Sequence, residues 1–572
     1  MNESLNPKAL NDLGDACFYG VNRPVNLELA YSYYKQAADK DNPVGYYNLG
    51  NYFVAKKDYK QALINYEKSK AFDYSPAAIT LAKLYQNGYG VKKNKKKAYK
   101  YLVNAAKLND PDAFNALGDC LLKGIGCQKS SEEAILFYQK SADLNNPTGQ
   151  LNVGLYHLSQ NDYKKNPEKA FHWLDKAASN GETTAMKTMM NIYLEGKHAY
   201  FKKKSHAYLQ EMAFYYRELL AKAKDIEQLK IVANVYYEGN AITKKNYEKA
   251  CFYFQALKDL NDPEGYYGYG VCLLYGQGIK QNIDEARQYL ELASQAKHPK
   301  ALSRLGDMHR MGMKTSANSE KAKEFYMEAS RLQDPEALVN LGLLNYREQI
   351  ENHSKTLAYS YMETAAKKGY YQAMYWLGVF HDKGVGCSHD FKIAEKWFEK
   401  AIKAGSLGAK YKYATMIIDE IENEKFNQKK MNLYYLKAKE LLIEYVLDPE
   451  HNQNNYSFAM YYLGQLFKDG KGVTKSLRTA RYWFEMAAET KLSKAMVEVF
   501  LFLKPTEPKH AMSWLNEALK DTLSSEALYE MGNLYLEGYS PFVESNIAQA
   551  KKYYEQAARL NHPKALEKLM MN

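Results

Sequence analysis

LAKLYQNGYGVKKNKKKAYKYLVNAAKL, residues 81–108, decides the fold of this chain. It places a small residue, Ala82, in a run of helical spacing, and a glycine, Gly88, six residues further on. Glycine accepts the left-handed conformation that ends a helix. Asn94 then stands where a second helix needs a side-chain cap, four residues before Ala98, and the aromatic Tyr101 follows Ala98 by three. YLGQLFKDGKGVTKSLRTARYWFEMAAE, residues 462–489, repeats the same order with Gly464, Gly470, Ser476, Ala480 and Trp483. The stretch therefore reads as helix, turn, helix.

Fifteen alanines carry this pattern along the whole chain: Ala30, Ala62, Ala98, Ala134, Ala170, Ala213, Ala250, Ala286, Ala322, Ala358, Ala394, Ala438, Ala480, Ala511 and Ala550. Between Gly270 and Ala414 the small register residues keep an unbroken step of 36: Gly270, Gly306, Gly342, Gly378, Ala414. A fixed period of this size means stacked supersecondary units, which offer long binding surfaces instead of one closed pocket.

Each repeat supplies its own punctuation. The first helix opens on a cap and a proline at Asn42-Pro43, Ser75-Pro76, Asp110-Pro111, Asn146-Pro147, Asp262-Pro263 and Asp334-Pro335. Apolar residues follow at helical spacing, as in Ala113, Leu117 and Leu121. The second helix is capped four residues before its alanine by Asn26, Asp58, Asn94, Ser130, Asn166, Asn246, Asn282, Asn318, Ser354, Asp390, Ser476 or Asn546. The sequence thus predicts an all-α solenoid of about 15 stacked helix-turn-helix repeats and no sheet. It reads as one continuous array over 1–572. Register breaks at 197–212 and 419–457 would divide it into segments 1–196, 213–418 and 458–572, and 563–572 forms a capping helix. The added residues at the breaks are expected to be surface loops.

Composition narrows the class. A net charge of +12 on 572 residues permits nucleic acid or anionic lipid as partners but argues for them only weakly. The start, MNESLNPKALNDLG, lacks a basic stretch followed by an apolar one, and no run approaches the length of a membrane span. The six scattered cysteines fit a reduced, cytoplasmic setting.

With its Gly88-Tyr89-Gly90-Val91 and Gly470-Lys471-Gly472-Val473 turns followed by A-x-x-W/Y-x-x-x-A-A, the chain resembles the Sel-one-like repeat family, a longer relative of the tetratricopeptide repeat. The resemblance implies a right-handed α-solenoid superhelix. Disulfide-bearing members of the family hold cysteines at slots filled here by Ala38 and Tyr46, or Ala366 and Met374, so free thiols are expected. The resemblance also raises a bacterial effector acting on host proteins after delivery into a host cell, although nothing in the sequence indicates export.

By analogy with tetratricopeptide arrays, ligand contacts come from the first helix, three residues before and one after the register residue. The positions after hold Asp15, Asn51, Asp119, Asn191, Asn234, Asp307 and Asn533. The positions three before hold Asn11, Tyr47, Asn115, Tyr267, Tyr375, Tyr411, Tyr461 and Tyr529. Asparagine both donates and accepts, and tyrosine gives broad contact at low entropy cost. Their structural alternative is ordinary helix polarity and interhelix packing.

Other chemistry reads as architecture. His381, Asp382, Cys387, His389 and Asp390 are of zinc-binding types, yet Cys387 fills the valine slot of the turn and Asp390 is a cap. The glycine pairs recur as turns and lack the lysine and strand of a phosphate loop. The run Lys92-Lys93-Asn94-Lys95-Lys96-Lys97 reads as solvated surface, with phosphate or lipid contact as the alternative. No catalytic constellation can be assembled, and neither cofactor nor metal is expected. The function read from the sequence is a protein-binding scaffold holding a protein or peptide segment in its groove. A nucleic-acid or anionic-membrane binder is the alternative. It is disfavoured because Asp15, Asp119, Asp307 and Asp382 mix with Lys83, Lys187, Arg310 and Lys468 on the expected surface.

Overall fold

The computed structural model describes residues 6–159, 167–196, 201, 204–314, 316–347, 355–424, 426–449, 453–521 and 523–570. Among the described residues there are 31 α-helices, from Pro7–Tyr19 to Pro563–Met570, and no β-strand. They run as fifteen successive pairs and a final single helix. The contacts group the chain into two compact units, Met1–Tyr289 and Leu290–Asn572. Each unit is a solenoid of antiparallel pairs in which a pair packs on the next one in sequence.

The local rules read from the sequence operate as hydrogen bonds. Asn94 accepts from the Lys97 amide at 2.9 Å, Asp390 from Ile393 at 2.9 Å and Asn546 from Gln549 at 3.0 Å. Every one of the ten described second-helix caps makes such a bond; Asn166 and Ser354 lie outside the described residues. Ser75 departs from its reading as a cap. It lies inside the first turn and is buried, so Tyr74 takes the cap position with no side-chain bond, and the Ser75 hydroxyl has no partner.

Close approach explains the register. All fifteen register alanines are buried. A Cβ added at Gly118 would stand 2.4 Å from the Tyr138 ring, and one at Gly306 2.5 Å from the Tyr326 ring. The small residue is therefore the seat of a second-helix ring. The second glycine of the turn does a different job, between pairs. Gly126 has φ +74, and a Cβ there would stand 2.1 Å from the Lys95 carbonyl oxygen of the preceding pair; Gly386 approaches Lys355 equally closely. Backbone thus seats on backbone at each such step.

Both register breaks are less loop-like than expected. The second helices of the sixth and twelfth pairs extend backwards, to His206–Lys222 and Gln428–Leu447, because Ser205 and Asn427 supply caps further upstream. Ile421–Asn423 forms a 3-10 turn, and helix Gln453–Asp469 starts before the 419–457 break ends. Lys202 and Lys203 lie outside the described residues.

The final helix, Pro563–Met570, buries Ala565 against Ala550, Tyr554 and Ala557, while Lys564 and Glu567 face water. Deleting 563–572 should uncover that apolar end, and terminal repeats with a polar outer face keep such arrays soluble. The truncated chain is expected to aggregate at concentrations where the full chain stays monodisperse by light scattering. Equal solubility of the two would show that the helix is not a cap.

Candidate functional site

The fifteen sequence-predicted residues all lie on first helices, and they divide into residues tied into the array and residues left at its surface. In unit 1, Asn11 is 5% exposed and spends its amide on the Pro7 carbonyl at 2.9 Å and on Asn42 at 3.0 Å. Asn48 of the next pair donates to both Asn11 and Asp15 at 3.3 Å, bringing those two together. Asn115 is buried and accepts from Asn152 at 3.0 Å. Neighbouring first helices lie side by side, so a position three before the register residue faces the next pair as well as the surface.

The residues after the register positions share one arrangement. The hydroxyl of Tyr34 donates to Asp15, that of Tyr66 to Asn51 and that of Tyr138 to Asp119, each at 2.7 Å. In unit 2, Tyr326 donates to Asp307 at 2.7 Å and Tyr554 to Asn533 at 2.8 Å. Each bond buckles the second helix of a pair to its first, over the glycine that seats the ring. Burial, and then the carboxylate, holds the Tyr138 phenol well above its usual range, and burial pushes Tyr554 up to about 12. The donors therefore stay protonated at any physiological pH.

Sequence reasoning missed these partners, but a signal existed. A tyrosine stands four residues after the register alanine only in the five pairs that carry Asp or Asn after the register residue and form the bond; elsewhere the slot holds residues such as Leu174, Met362 and Phe398. Asn191 and Asn234 lack such a tyrosine. Asn191 is exposed, and Asn234 donates to the Lys230 carbonyl at 3.0 Å and to Glu264 of the next pair at 3.2 Å. Asp119 is also exposed and keeps its second carboxylate oxygen for another donor.

The predicted tyrosines are partly buried, and most of them pack against a neighbouring ring. Tyr47 packs edge-on against Tyr74, with centroids 5.4 Å apart, and Tyr267, on the eighth pair, is partly buried. In unit 2, Tyr375 lies 6.2 Å from Phe398, Tyr411 5.4 Å from Tyr445 and Tyr461 5.6 Å from Phe484. Tyr529 stacks on His562 at 4.4 Å. Burial raises the phenols of Tyr375, Tyr411 and Tyr461. These side chains offer partly open ring faces and hydroxyls, with their bodies held by neighbours.

Ion pairs stitch first helices together along the same face. Unit 1 has Lys187–Asp225 at 2.8 Å and Lys230–Asp262 at 2.9 Å. Unit 2 has Arg304–Glu336 at 2.5 Å, Lys412–Asp382 at 3.3 Å, Lys468–Glu498 at 2.6 Å and Lys494–Glu526 at 3.2 Å. The charge of this face is therefore mixed and largely paired.

The remaining candidates turn to separate partners. His381 is buried, with Nε2 3.2 Å from the Tyr359 hydroxyl and Nδ1 3.3 Å from the Ser388 carbonyl. His389 meets Glu420 at 3.0 Å, and Asp390 caps its helix. Among the described residues no group of three or more His, Cys, Asp or Glu side chains is placed to hold a metal ion. Lys97 donates to the Tyr85 hydroxyl at 2.7 Å, while Lys95 and Lys96 are exposed. No described helix is long and apolar enough to cross a membrane.

Paired helices closed in most repeats by alanine, glycine and cap define a helical-repeat solenoid, a class that generally serves as protein-interaction scaffolding. The model of the Sel1 repeat matches twelve times, at 7–42, 43–71, 75–110, 111–146, 147–182, 232–262, 263–298, 299–334, 335–370, 372–406, 457–489 and 525–562, and the chain belongs to the Sel1 repeat family. The unmatched stretches include the two pairs with elongated second helices. Among curated proteins, the chain is 23% identical over 243 residues to the uncharacterized protein NMB1327 of Neisseria meningitidis serogroup B, covering 42% of each. It is 38% identical over 52 residues to the ERAD-associated E3 ubiquitin-protein ligase component HRD3B of Arabidopsis thaliana, covering 9% of each. The chain thus spans less than half the length of these relatives. Among solved structures it is similar to c5321, a protective antigen of uropathogenic Escherichia coli with an SLR fold, at 18% identity and a TM-score of 0.37, covering 96% of this chain and 97% of that one. It is also similar to a Sel1 repeat protein from Oxalobacter formigenes, at 17% identity and a TM-score of 0.27, covering 72% and 93%.

Proposed function

We propose that the protein is an interaction scaffold whose first-helix face receives an extended or helical segment of a partner protein. The observation that carries the reading is the recurrence, at equivalent positions of successive pairs, of polar and aromatic side chains that are held in place yet partly open. Asp119, Asn191 and Asn234 in unit 1 and Tyr375, Tyr411 and Tyr461 in unit 2 are the residues assigned to it. A long surface with repeated small contacts suits a segment better than a small molecule. The mixed, paired charge favours recognition by shape and hydrogen bonding over attraction to polyanions.

Affinity capture from the native cell extract supplies the partner, and calorimetry on the purified pair then tests the surface. Asn191→Ala with Asn234→Ala, and separately Tyr375→Ala with Tyr411→Ala, are chosen because none of the four closes a tyrosine buckle. At least one double variant is expected to weaken binding by about 2 kcal/mol, near thirtyfold. Replacing Lys95 and Lys96 by alanine is expected to leave it unchanged, and raising salt from 50 to 200 mM to weaken it only a few-fold. Normal binding by both double variants, with loss on lysine removal and a steep salt dependence, would instead mark a phosphate-driven contact.

A further inference from the structure

In fourteen of the fifteen second helices, the residue four after the register alanine is a tyrosine, phenylalanine, leucine or methionine. In the sixth it is Arg217. Helix His206–Lys222 fills its core with Tyr216, one residue earlier, which is 1% exposed and donates to Asp175 at 2.6 Å. Arg217 is left partly buried, and its Nε is buried with no hydrogen-bond partner. Among the described residues no carboxylate pairs with its guanidinium. A guanidinium is always charged, and an uncompensated charge withdrawn from water is costly. The Arg217 Nε–H is therefore a buried donor without an acceptor.

Arg217 borders a cavity of about 90 Å³ between the sixth and seventh pairs of unit 1. Leu194, Phe214 and Val235 give it apolar walls, and Gln210, Asn240 and Thr243 bring polar groups. The Asn240 side-chain oxygen is committed to the amides of Ile242 at 2.9 Å and Thr243 at 2.7 Å, so only the hydrogens of its Nδ2 remain to be donated. The space holds several waters, or a carboxylate on a short aliphatic stem.

We propose that this cavity is a carboxylate-binding site. The Nε–H of Arg217 and one terminal N–H fork the two oxygens, the geometry in which arginine recognises carboxylates. Asn240 or Thr243 donates to a remaining lone pair, and the stem packs on Leu194, Phe214 and Val235. A single cation suits a monoanion better than a phosphate, which would need further charge. The carboxylate belongs to a free aliphatic acid or to a glutamate side chain of a protein. The proposal does not depend on the first-helix surface, because Arg217 stands on a second helix.

The test follows the Arg217 Nε–H resonance in the full chain labelled with ¹⁵N-arginine, assigned by its loss in Arg217→Lys. The probes are acetate, butyrate, butyramide, inorganic phosphate and an amidated, acetylated peptide with one glutamate. Butyrate is expected to shift the resonance saturably and to bind about tenfold tighter than acetate, from burial of two further methylenes; butyramide should do nothing. A response to the peptide as strong as to butyrate assigns a protein glutamate, and a response to butyrate alone assigns a free acid. Arg217→Leu, which restores the residue type of the other pairs, should raise Tm and abolish the butyrate response in a folded protein. The proposal is overturned if carboxylates produce no saturable shift, if phosphate or butyramide binds as well as butyrate, or if Arg217→Leu lowers Tm.

Discussion

Gly126→Ala is expected to destabilise unit 1 by about 3 kcal/mol or more, among the largest effects a single added methyl can have. Two costs add. At φ +74 an alanine is strained by about 1 kcal/mol. Its Cβ would also stand 2.1 Å from the Lys95 carbonyl oxygen and 2.6 Å from its carbon, where backbone at the start of helix Lys95–Ala106 cannot yield without parting two pairs. Gly181→Ala isolates the first cost: its φ is +91, but nothing lies within 4 Å of the new methyl. Thermal melting and amide exchange of the two variants measure the difference. Were Gly126→Ala to melt with Gly181→Ala, the seating of backbone on backbone between pairs would be wrong.

The second large effect is expected at Asp307, which is 7% exposed and gathers three donors: Tyr326 at 2.7 Å, Arg304 at 2.5 Å and Asn340 at 3.4 Å. Asp307→Ala should cost unit 2 about 3 kcal/mol, chiefly because a buried hydroxyl and part of a guanidinium lose their acceptor. Asp307→Val with Tyr326→Phe copies the combination that Val379 and Phe398 use two pairs later. The double variant is expected to recover most of the loss, since removing both partners of a buried bond can be nearly neutral and Arg304 retains Glu336. A double-mutant cycle read by urea denaturation should give a coupling of about 1.5 kcal/mol or more between the two sites. Additive losses would mean that the bond does not close the pair.

What the sequence made legible was whatever a residue decides within its own turn of chain. Caps such as Asn94 and Asp390, stops such as Gly88 and the register alanines act on backbone three or four residues away, so spacing alone reveals them. Ser205 and Asn427 escaped because a helix can start a turn or two earlier without disturbing its register alanine. The candidate surface was legible only in outline. Spacing placed Asn11 and Asn115 on the correct helices but could not show that the adjoining pair covers them. Asp15, Asn51 and Asp119 were read as groups awaiting a ligand, whereas each already accepts a hydroxyl from fifteen or nineteen residues downstream. That pairing is written as a covariation between two positions, and neither position discloses it alone.

The tyrosine bond over the seated glycine has a bearing on how such a chain can lengthen or shorten during descent. It begins and ends inside one helical hairpin, so a gene segment copied or excised as a whole hairpin carries both ends of that bond along. The phenols of Tyr216 and Tyr253 reach instead to Asp175 and Glu218 of the hairpin before. A cut between those hairpins strands a donor on one side and a carboxylate on the other. A run such as Asp175 to Tyr253, in which each phenol closes on the hairpin before, is therefore best inherited as a block.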